Sequence, residues 1–174
     1  MTNFKEDLTR VKAFVFDIDG VLSLQTINLN SSGVPNRTVN LRDGYALQLA
    51  VKKGYRIGII SGSSSKKYRK RLKMLGINND IYLGSHSKLN HFKDFLEKHN
   101  LNRSEVLYMG DDIPDYEVMK YAGVPVCPAD ADSEIKQVSS YISDKRGGEG
   151  CVRDVIEQVL RLHNNWMDTE AFKW

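Results

Sequence analysis

The sequence predicts an α/β fold, a doubly wound parallel sheet flanked by helices, and three observations predict it. Short apolar runs rich in β-branched and aromatic residues alternate along the chain with longer stretches of helical periodicity. The runs lack strict in–out alternation, so they read as strands buried on both faces, as in a parallel sheet. Polar residues gather where the runs end: Asp17 and Asp19, Ser61, and Asp111 with Asp112. In such sheets, ligands bind in the crevice at the carboxyl ends of the strands.

The first strand comes from the run Val11 to Phe16, which stops in Asp17-Ile18-Asp19-Gly20. Carboxylates are costly inside a strand, so both acids belong at its carboxyl end, and Gly20 lets the backbone turn away. Two acids so close repel unless a cation or a shared proton intervenes. A bound Mg²⁺, a hard ion that prefers oxygen ligands, is the simplest answer, and an acidic turn is the alternative. Leu24 to Asp43 reads as a projecting β-hairpin turning at Ser31-Ser32-Gly33, with Pro35 at an edge. Its Ile27, Leu29 and Val39 make it an expected interface or lid.

Gly44 to Lys53 reads as a helix stopped by Gly54. Arg56 to Ile60 is a second buried strand, ending in Ser61-Gly62, where a hydroxyl and free N–H groups face an anion or cap the next helix. Lys66 to Gly76 is basic over an apolar stripe of Tyr68, Leu72 and Leu75. It reads as a solvated helix face rather than a nucleic-acid patch, and it draws anions. Ile81 to Leu83 is a short strand. Lys88 then opens a helix through Lys98, a site where the helix dipole disfavours a cation; a lysine there either meets an anion or is simply exposed to solvent, the commoner case. Val106 to Met109 is a strand leading into Gly110-Asp111-Asp112-Ile113-Pro114-Asp115, with a helix from Pro114 through Ala122. Val124 to Cys127 is a strand, Ala131 to Val138 a helix and Tyr141 to Ser143 a last strand. Arg146 to Gly150 reads as a mobile glycine-rich loop, and Cys151 to Leu162 as a closing helix. The tail carries Trp166, Phe172 and Trp174, which are expected to dock on the body or on a neighbouring subunit.

The 174 residues suit one domain over 1–174, with the hairpin at about 24–43 and the closing helix and tail at about 151–174. A net charge of +3 suits an anionic small substrate and is too weak to argue for nucleic acid. The two cysteines, Cys127 and Cys151, have no metal-site or disulfide-framework spacing. The start lacks an apolar signal core and no run is long enough to span a bilayer, so no membrane partner and a cytoplasmic location are expected.

Taken in order, Asp17-x-Asp19-Gly20-Val21, Ser61-Gly62, Lys88 and Gly110-Asp111-Asp112-x-x-Asp115 resemble the four motifs of the haloacid-dehalogenase phosphohydrolase superfamily. The hairpin with no inserted cap domain resembles its capless branch. Val39 to Tyr45 and the loop Gly147-Gly148-Glu149-Gly150 further resemble 3-deoxy-D-manno-octulosonate 8-phosphate (KDO 8-phosphate) phosphatases. The resemblance implies a Mg²⁺-dependent phosphomonoesterase that works through an aspartyl-phosphate, a role in lipopolysaccharide synthesis, and a homotetramer in which a neighbour helps close each site. It implies Asp17 as nucleophile, Asp19 as general acid and base, Ser61 and Lys88 on the phosphoryl group, and Mg²⁺ on Asp17, the Asp19 main chain and Asp111. Asp112 and Asp115 are expected to act through bonds to metal waters or Lys88. Gly62, Arg42 and Glu149 are expected to contact substrate. Several relatives carry a basic residue where Glu149 stands, and phosphatases of nine-carbon sugar acid 9-phosphates can carry glutamate, so that substrate is the alternative. A phosphoacceptor switch domain shares sheet, acids and Mg²⁺, but its acceptor aspartate follows a middle strand, and here the middle strand ends in Ser61.

Overall fold

The computed structural model describes residues 3–173. Its centre is a parallel sheet of six strands in the order β3-β2-β1-β4-β5-β6. The strands are β1 (Ala13–Phe16), β2 (Arg56–Ser61), β3 (Ile81–Leu83), β4 (Val106–Met109), β5 (Val124–Cys127) and β6 (Tyr141–Ile142). The order reverses at β1, which pairs with β2 on one side and β4 on the other. That reversal opens the crevice of a doubly wound sheet directly beyond Phe16.

Seven helices connect and cover the strands among the described residues: α1 (Phe4–Leu8), α2 (Leu41–Lys52), α3 (Lys66–Met74), α4 (Lys88–His99), α5 (Tyr116–Tyr121), α6 (Ser133–Val138) and α7 (Cys151–Leu162). The strict two-residue period of a strand splits the core. Phe14 and Phe16 join Leu47, Leu72 and Val155 under α2, α3 and α7. Ala13 and Val15 join Phe92, Phe95, Val118 and Ile135 under α4, α5 and α6. With both faces covered, β1 and β4 are buried at every position and β2 from Ile57 onward, as the run pattern required.

Several elements depart from expectation for local reasons. Helix α2 starts at Leu41, before Gly44, because the Asn40 side chain accepts from the N–H groups of Arg42 (2.9 Å) and Asp43 (3.2 Å) and caps it. Helix α1 was not foreseen; Asn3 caps it and Leu8 is fully buried. The helix expected from Pro114 begins as a 3-10 turn over Ile113–Asp115 and becomes α-helical only at Tyr116.

The projecting segment holds one antiparallel bridge, Leu29 with Pro35, rather than two full strands. Pro35 has no N–H to continue the ladder. Beyond it, the Thr38 N–H is taken by the Ser23 hydroxyl at 2.9 Å. Leu29, Val34, Val39 and Leu41 are exposed on this segment.

The Arg146–Gly150 loop is pinned rather than mobile, which corrects the compositional reading. Gly148 N–H donates to the Val21 carbonyl (2.8 Å), Gly147 N–H to Asp130 Oδ1 (2.8 Å), and Asn40 Nδ2 to the Gly148 carbonyl (3.2 Å). A Cβ on Gly147 would collide with the Gly20 carbonyl, so only glycine allows this close approach.

In the tail, Trp166 is buried edge-on against Tyr45, with Arg153 and Arg161 over its ring. Phe172 is exposed, and Trp174 lies outside the described residues. No described helix is long and apolar enough to cross a membrane.

Candidate active site

β1 and β4 end side by side, so the loops after Phe16 and Met109 face each other across the crevice. Asp17, Asp111 and Asp115 are brought together there, each buried, with one carboxylate oxygen apiece within 4.8 Å of the others. Lys88, at the first turn of α4, reaches in from the adjoining loop. Its Nζ donates to Asp17 Oδ2 and to Asp115 Oδ1, both at 2.8 Å. When all three acids are ionised, one ammonium leaves two negative charges uncompensated.

Asp115 is the scaffold of this group. Its Oδ1 also accepts from the Tyr108 hydroxyl (2.6 Å), and its Oδ2 from the Asp111 N–H (3.3 Å). Burial, with the charge of Asp115, keeps the Tyr108 phenol far above its ordinary range, so it stays a donor. Two glycines make room. A Cβ on Gly20, at φ +81°, would strike the Asp111 carboxylate, and one on Gly110 would strike Asp115.

The electrostatics follow from this packing. Burial, reinforced by Asp115 and opposed by Lys88, pushes the Asp17 carboxyl up to about 7. Burial also pushes Asp111 up to about 7, against the bond from Gln25. For Lys88 burial works downward, but Asp17 and then Asp115 outweigh it and hold the ammonium up at about 12.

The residues fit a divalent cation. Asp111 Oδ2 accepts from Gln25 Nε2 at 3.0 Å, while its buried Oδ1 has no protein donor. An orphaned carboxylate oxygen beside an uncompensated negative charge, among hard oxygen donors, is what a Mg²⁺ site offers. Asp111, through its orphaned Oδ1, and Asp17, which accepts one donor on each oxygen, keep lone pairs to serve it, whereas Asp115 already takes Lys88, Tyr108 and the Asp111 N–H.

The remaining sequence candidates divide. The Asp19 side chain turns away from the cluster and is gripped by Arg37, Nε to Oδ1 at 2.7 Å and Nη2 to Oδ2 at 2.9 Å. Ser61 ends β2 and is buried; its hydroxyl accepts from the Ser63 N–H at 3.2 Å. Gly62 follows it, and a Cβ there would meet only the Ser85 carbonyl at 3.9 Å, so no steric demand for glycine is visible. Asp112 is exposed and caps its own turn through the Ile113 N–H (2.8 Å); it makes no bond to Lys88, which leaves metal waters as the expected route. Arg42 and Glu149 are exposed outside the cluster, on segments tied together by the Asn40–Gly148 bond.

Three participants were missed from sequence: Arg37, Gln25 and Tyr108. Arg37 did carry a signal, as the sole charged residue between Asp19 and Arg42. Tyr108 sits inside a strand buried throughout and reads as core.

Comparison with known proteins agrees with this fold. A family model described as haloacid dehalogenase-like hydrolase matches residues 76–155. The 3-deoxy-D-manno-octulosonate 8-phosphate phosphatase KdsC of Escherichia coli K12 is 35% identical over 150 residues, covering 86% of this chain and 79% of that protein. The crystal structure of the phosphatase of that name from Moraxella catarrhalis, in complex with magnesium ion, phosphate ion and KDO, superposes with a TM-score of 0.88 at 34% identity. The match covers 95% of this chain and 94% of that one. The Yersinia pestis phosphatase gives a TM-score of 0.89 at 28% identity, covering 94% of this chain and 88% of that one.

Proposed function

The chain belongs to the KDO 8-phosphate phosphatases of the haloacid dehalogenase-like hydrolases, and on that premise we propose that it is a Mg²⁺-dependent phosphomonoesterase acting on KDO 8-phosphate as a single catalytic domain. The observation that carries the reading is the buried Asp17–Lys88–Asp115–Asp111 group at the carboxyl ends of β1 and β4, with its orphaned Asp111 oxygen.

Asp17 is the nucleophile. Lys88 orients its carboxylate and offers positive charge to the phosphoryl group. The Asp17 oxygen forms a bond to phosphorus as the bond from phosphorus to the sugar oxygen breaks, and Asp19 gives that oxygen a proton. Asp19, now a carboxylate, takes a proton from the water that attacks the aspartyl-phosphate. Phosphate leaves and the Asp17 carboxylate is restored. Ser61 donates to a phosphoryl oxygen. Asp115 holds Lys88 and the Asp111 loop in place. Asp17, Asp111 and the Asp19 main chain would hold Mg²⁺, which would neutralise charge between the carboxylate and the phosphate dianion. Gly62, Arg42 and Glu149 are the proposed sugar contacts, and Asp112 acts only through water at the rim.

We also assign a homotetramer, supported by the exposed Leu29, Val34, Val39 and Leu41 and by the relatives' sugar substrate, which a shallow crevice alone would leave wet. Free, buried Cys127 and Cys151 support a reducing, cytoplasmic setting.

The test is phosphate release with Mg²⁺ from KDO 8-phosphate, a nine-carbon sugar acid 9-phosphate and an aryl phosphate, with the sample's mass read by light scattering. Strong preference for KDO 8-phosphate by a four-chain particle is expected. Preference for the nine-carbon compound would make Glu149 a specificity element and move the assignment, and a fully active monomer would refute the assembly.

The raised carboxyls predict a linked pH dependence. Asp17 and Asp111 titrate at about 7 in the metal-free fold, against about 3.9 when unfolded. Between those values the folded chain binds protons that the unfolded chain has released, so their contribution is full below pH ~4 and lost as pH rises through ~7. The metal-free melting temperature should therefore fall between pH 5 and pH 8. Mg²⁺ competes with those protons, so saturating Mg²⁺ should raise the melting temperature by about 5–10 °C at pH 8 and by much less at pH 5. Equal shifts at both pH values, or an undiminished shift in Asp111→Asn, would place the metal elsewhere.

A further inference from the structure

Arg37 stands between two surfaces of opposite character. On one side its guanidinium covers both oxygens of Asp19, at 2.7 and 2.9 Å. On the other it borders a cleft of about 860 Å³ that carries Lys66, Lys67 and Arg71, together with Ser63, Ser64 and Ser65 at the start of α3, and no acidic residue. The guanidinium is nearly buried, its side chain 11% exposed, so it is held between these two surfaces rather than lying free in solvent.

The neighbouring residue fixes it there. Thr38 bonds to the loop after β1 in both directions, its N–H to the Ser23 hydroxyl at 2.9 Å and its own hydroxyl receiving the Leu24 N–H at 3.0 Å. The backbone that carries Arg37 is therefore tied to the nucleophile loop, while the side chain keeps several rotatable bonds. Two charge-assisted bonds to one carboxylate form a strong planar fork. A carboxyl group with both oxygens held in that fork cannot also reach the bridging oxygen of a phosphate ester. An anion entering the acid-free cleft is the competitor that the surroundings provide for the guanidinium.

We propose that Arg37 is a substrate-operated latch, holding Asp19 as a carboxylate until the carboxylate of a sugar acid phosphate enters the cationic cleft and takes over the guanidinium; the released Asp19 then takes up a proton from solvent and turns toward the ester oxygen. This rests on the role given to Asp19 above. It makes Arg37 a positioning residue that also determines specificity. Phosphate esters without a carboxylate bind the phosphoryl site but leave the latch closed, so discrimination shows in kcat and not only in KM.

The experiment compares wild type with Arg37→Ala and Arg37→Lys, with Mg²⁺, on KDO 8-phosphate and on glucose 6-phosphate, an alkyl phosphate without a carboxylate. In Arg37→Ala, kcat for glucose 6-phosphate should rise about tenfold while KM for KDO 8-phosphate rises about tenfold, the size of one lost charge-assisted bond. Arg37→Lys, which keeps the charge but not the fork, should move both values in the same directions and less far. Wild type should also hydrolyse glucose 6-phosphate faster when a small carboxylate such as pyruvate is added, and Arg37→Ala should not respond. Parallel loss on both substrates would mean that Arg37 holds Asp19 in its working position, and the latch would be wrong; unchanged constants on both would also overturn it. Failure of the substrate assignment looks different: wild type would ignore KDO 8-phosphate while the glucose 6-phosphate rate still rose in Arg37→Ala.

Discussion

Asp17→Asn is expected to abolish phosphate release while leaving a folded protein, with turnover falling on the order of 10⁴-fold or more, as for other essential nucleophiles. The substitution keeps shape and changes one charge. The amide oxygen can still accept the Ile18 N–H that Asp17 Oδ1 accepts at 2.6 Å. Lys88 keeps its bond to Asp115 at 2.8 Å, so no buried ammonium is stranded. One negative charge leaves a group that holds an excess of them, which offsets the amide N–H group now facing the Lys88 ammonium, so the metal-free fold should lose little in stability at neutral pH and should depend less steeply on pH. The measurement is phosphate release from KDO 8-phosphate in saturating Mg²⁺, paired with thermal unfolding at pH 5 and pH 8. A near-normal rate would remove Asp17 as nucleophile. A collapse in stability along with activity would mean that Asp17 chiefly balances Lys88.

The fold was legible because its strands are buried on both faces, and burial of that kind writes itself as an uninterrupted apolar run. Each run ends where the crevice begins, so the acids after Phe16 and Met109 marked strand ends without any knowledge of pairing. Lys88 could be singled out because a lysine at a helix N-terminus opposes the dipole, and its position beside Asp17 and Asp115 supplies the missing anions. What was hidden depends on chain paths that no local rule describes. Arg37 meets Asp19 across a segment with a single bridge, and the path of that segment is set by Thr38 against Ser23. The Gly147–Gly150 loop has the composition of a flexible linker, yet Val21, Asp130 and Asn40 hold it. Asp112 and Asp115 are of one residue type, three positions apart. The turn over Ile113–Asp115 sends one to solvent and the other under Lys88.

Lys88→Met should damage both stability and activity, and the pH dependence separates the two. Lys88 is buried, and its ammonium is the shared partner of Asp17 and Asp115 at 2.8 Å each. Methionine fills a similar volume but leaves two buried carboxylates facing each other. Removing one partner of a buried pair costs about 3–5 kcal/mol, because the other charge stays desolvated. The penalty applies only to ionised acids. Burial already lifts Asp17 to about 7 with Lys88 present, and without that ammonium it must rise further. In the variant, ionising Asp17 in the folded state is therefore costlier, so its stability should fall more steeply than wild type as pH rises from 5 to 8. Denaturant unfolding without metal should show a small gap from wild type at pH 5 and a gap of about 3 kcal/mol or more at pH 8. Adding Asp115→Asn to Lys88→Met should recover part of that loss, a non-additivity expected of groups in direct contact. Activity should not recover with it, since the phosphoryl group would still lack its ammonium. A gap of equal size at both pH values would attribute the loss to packing, and the charge balance drawn for this crevice would be wrong.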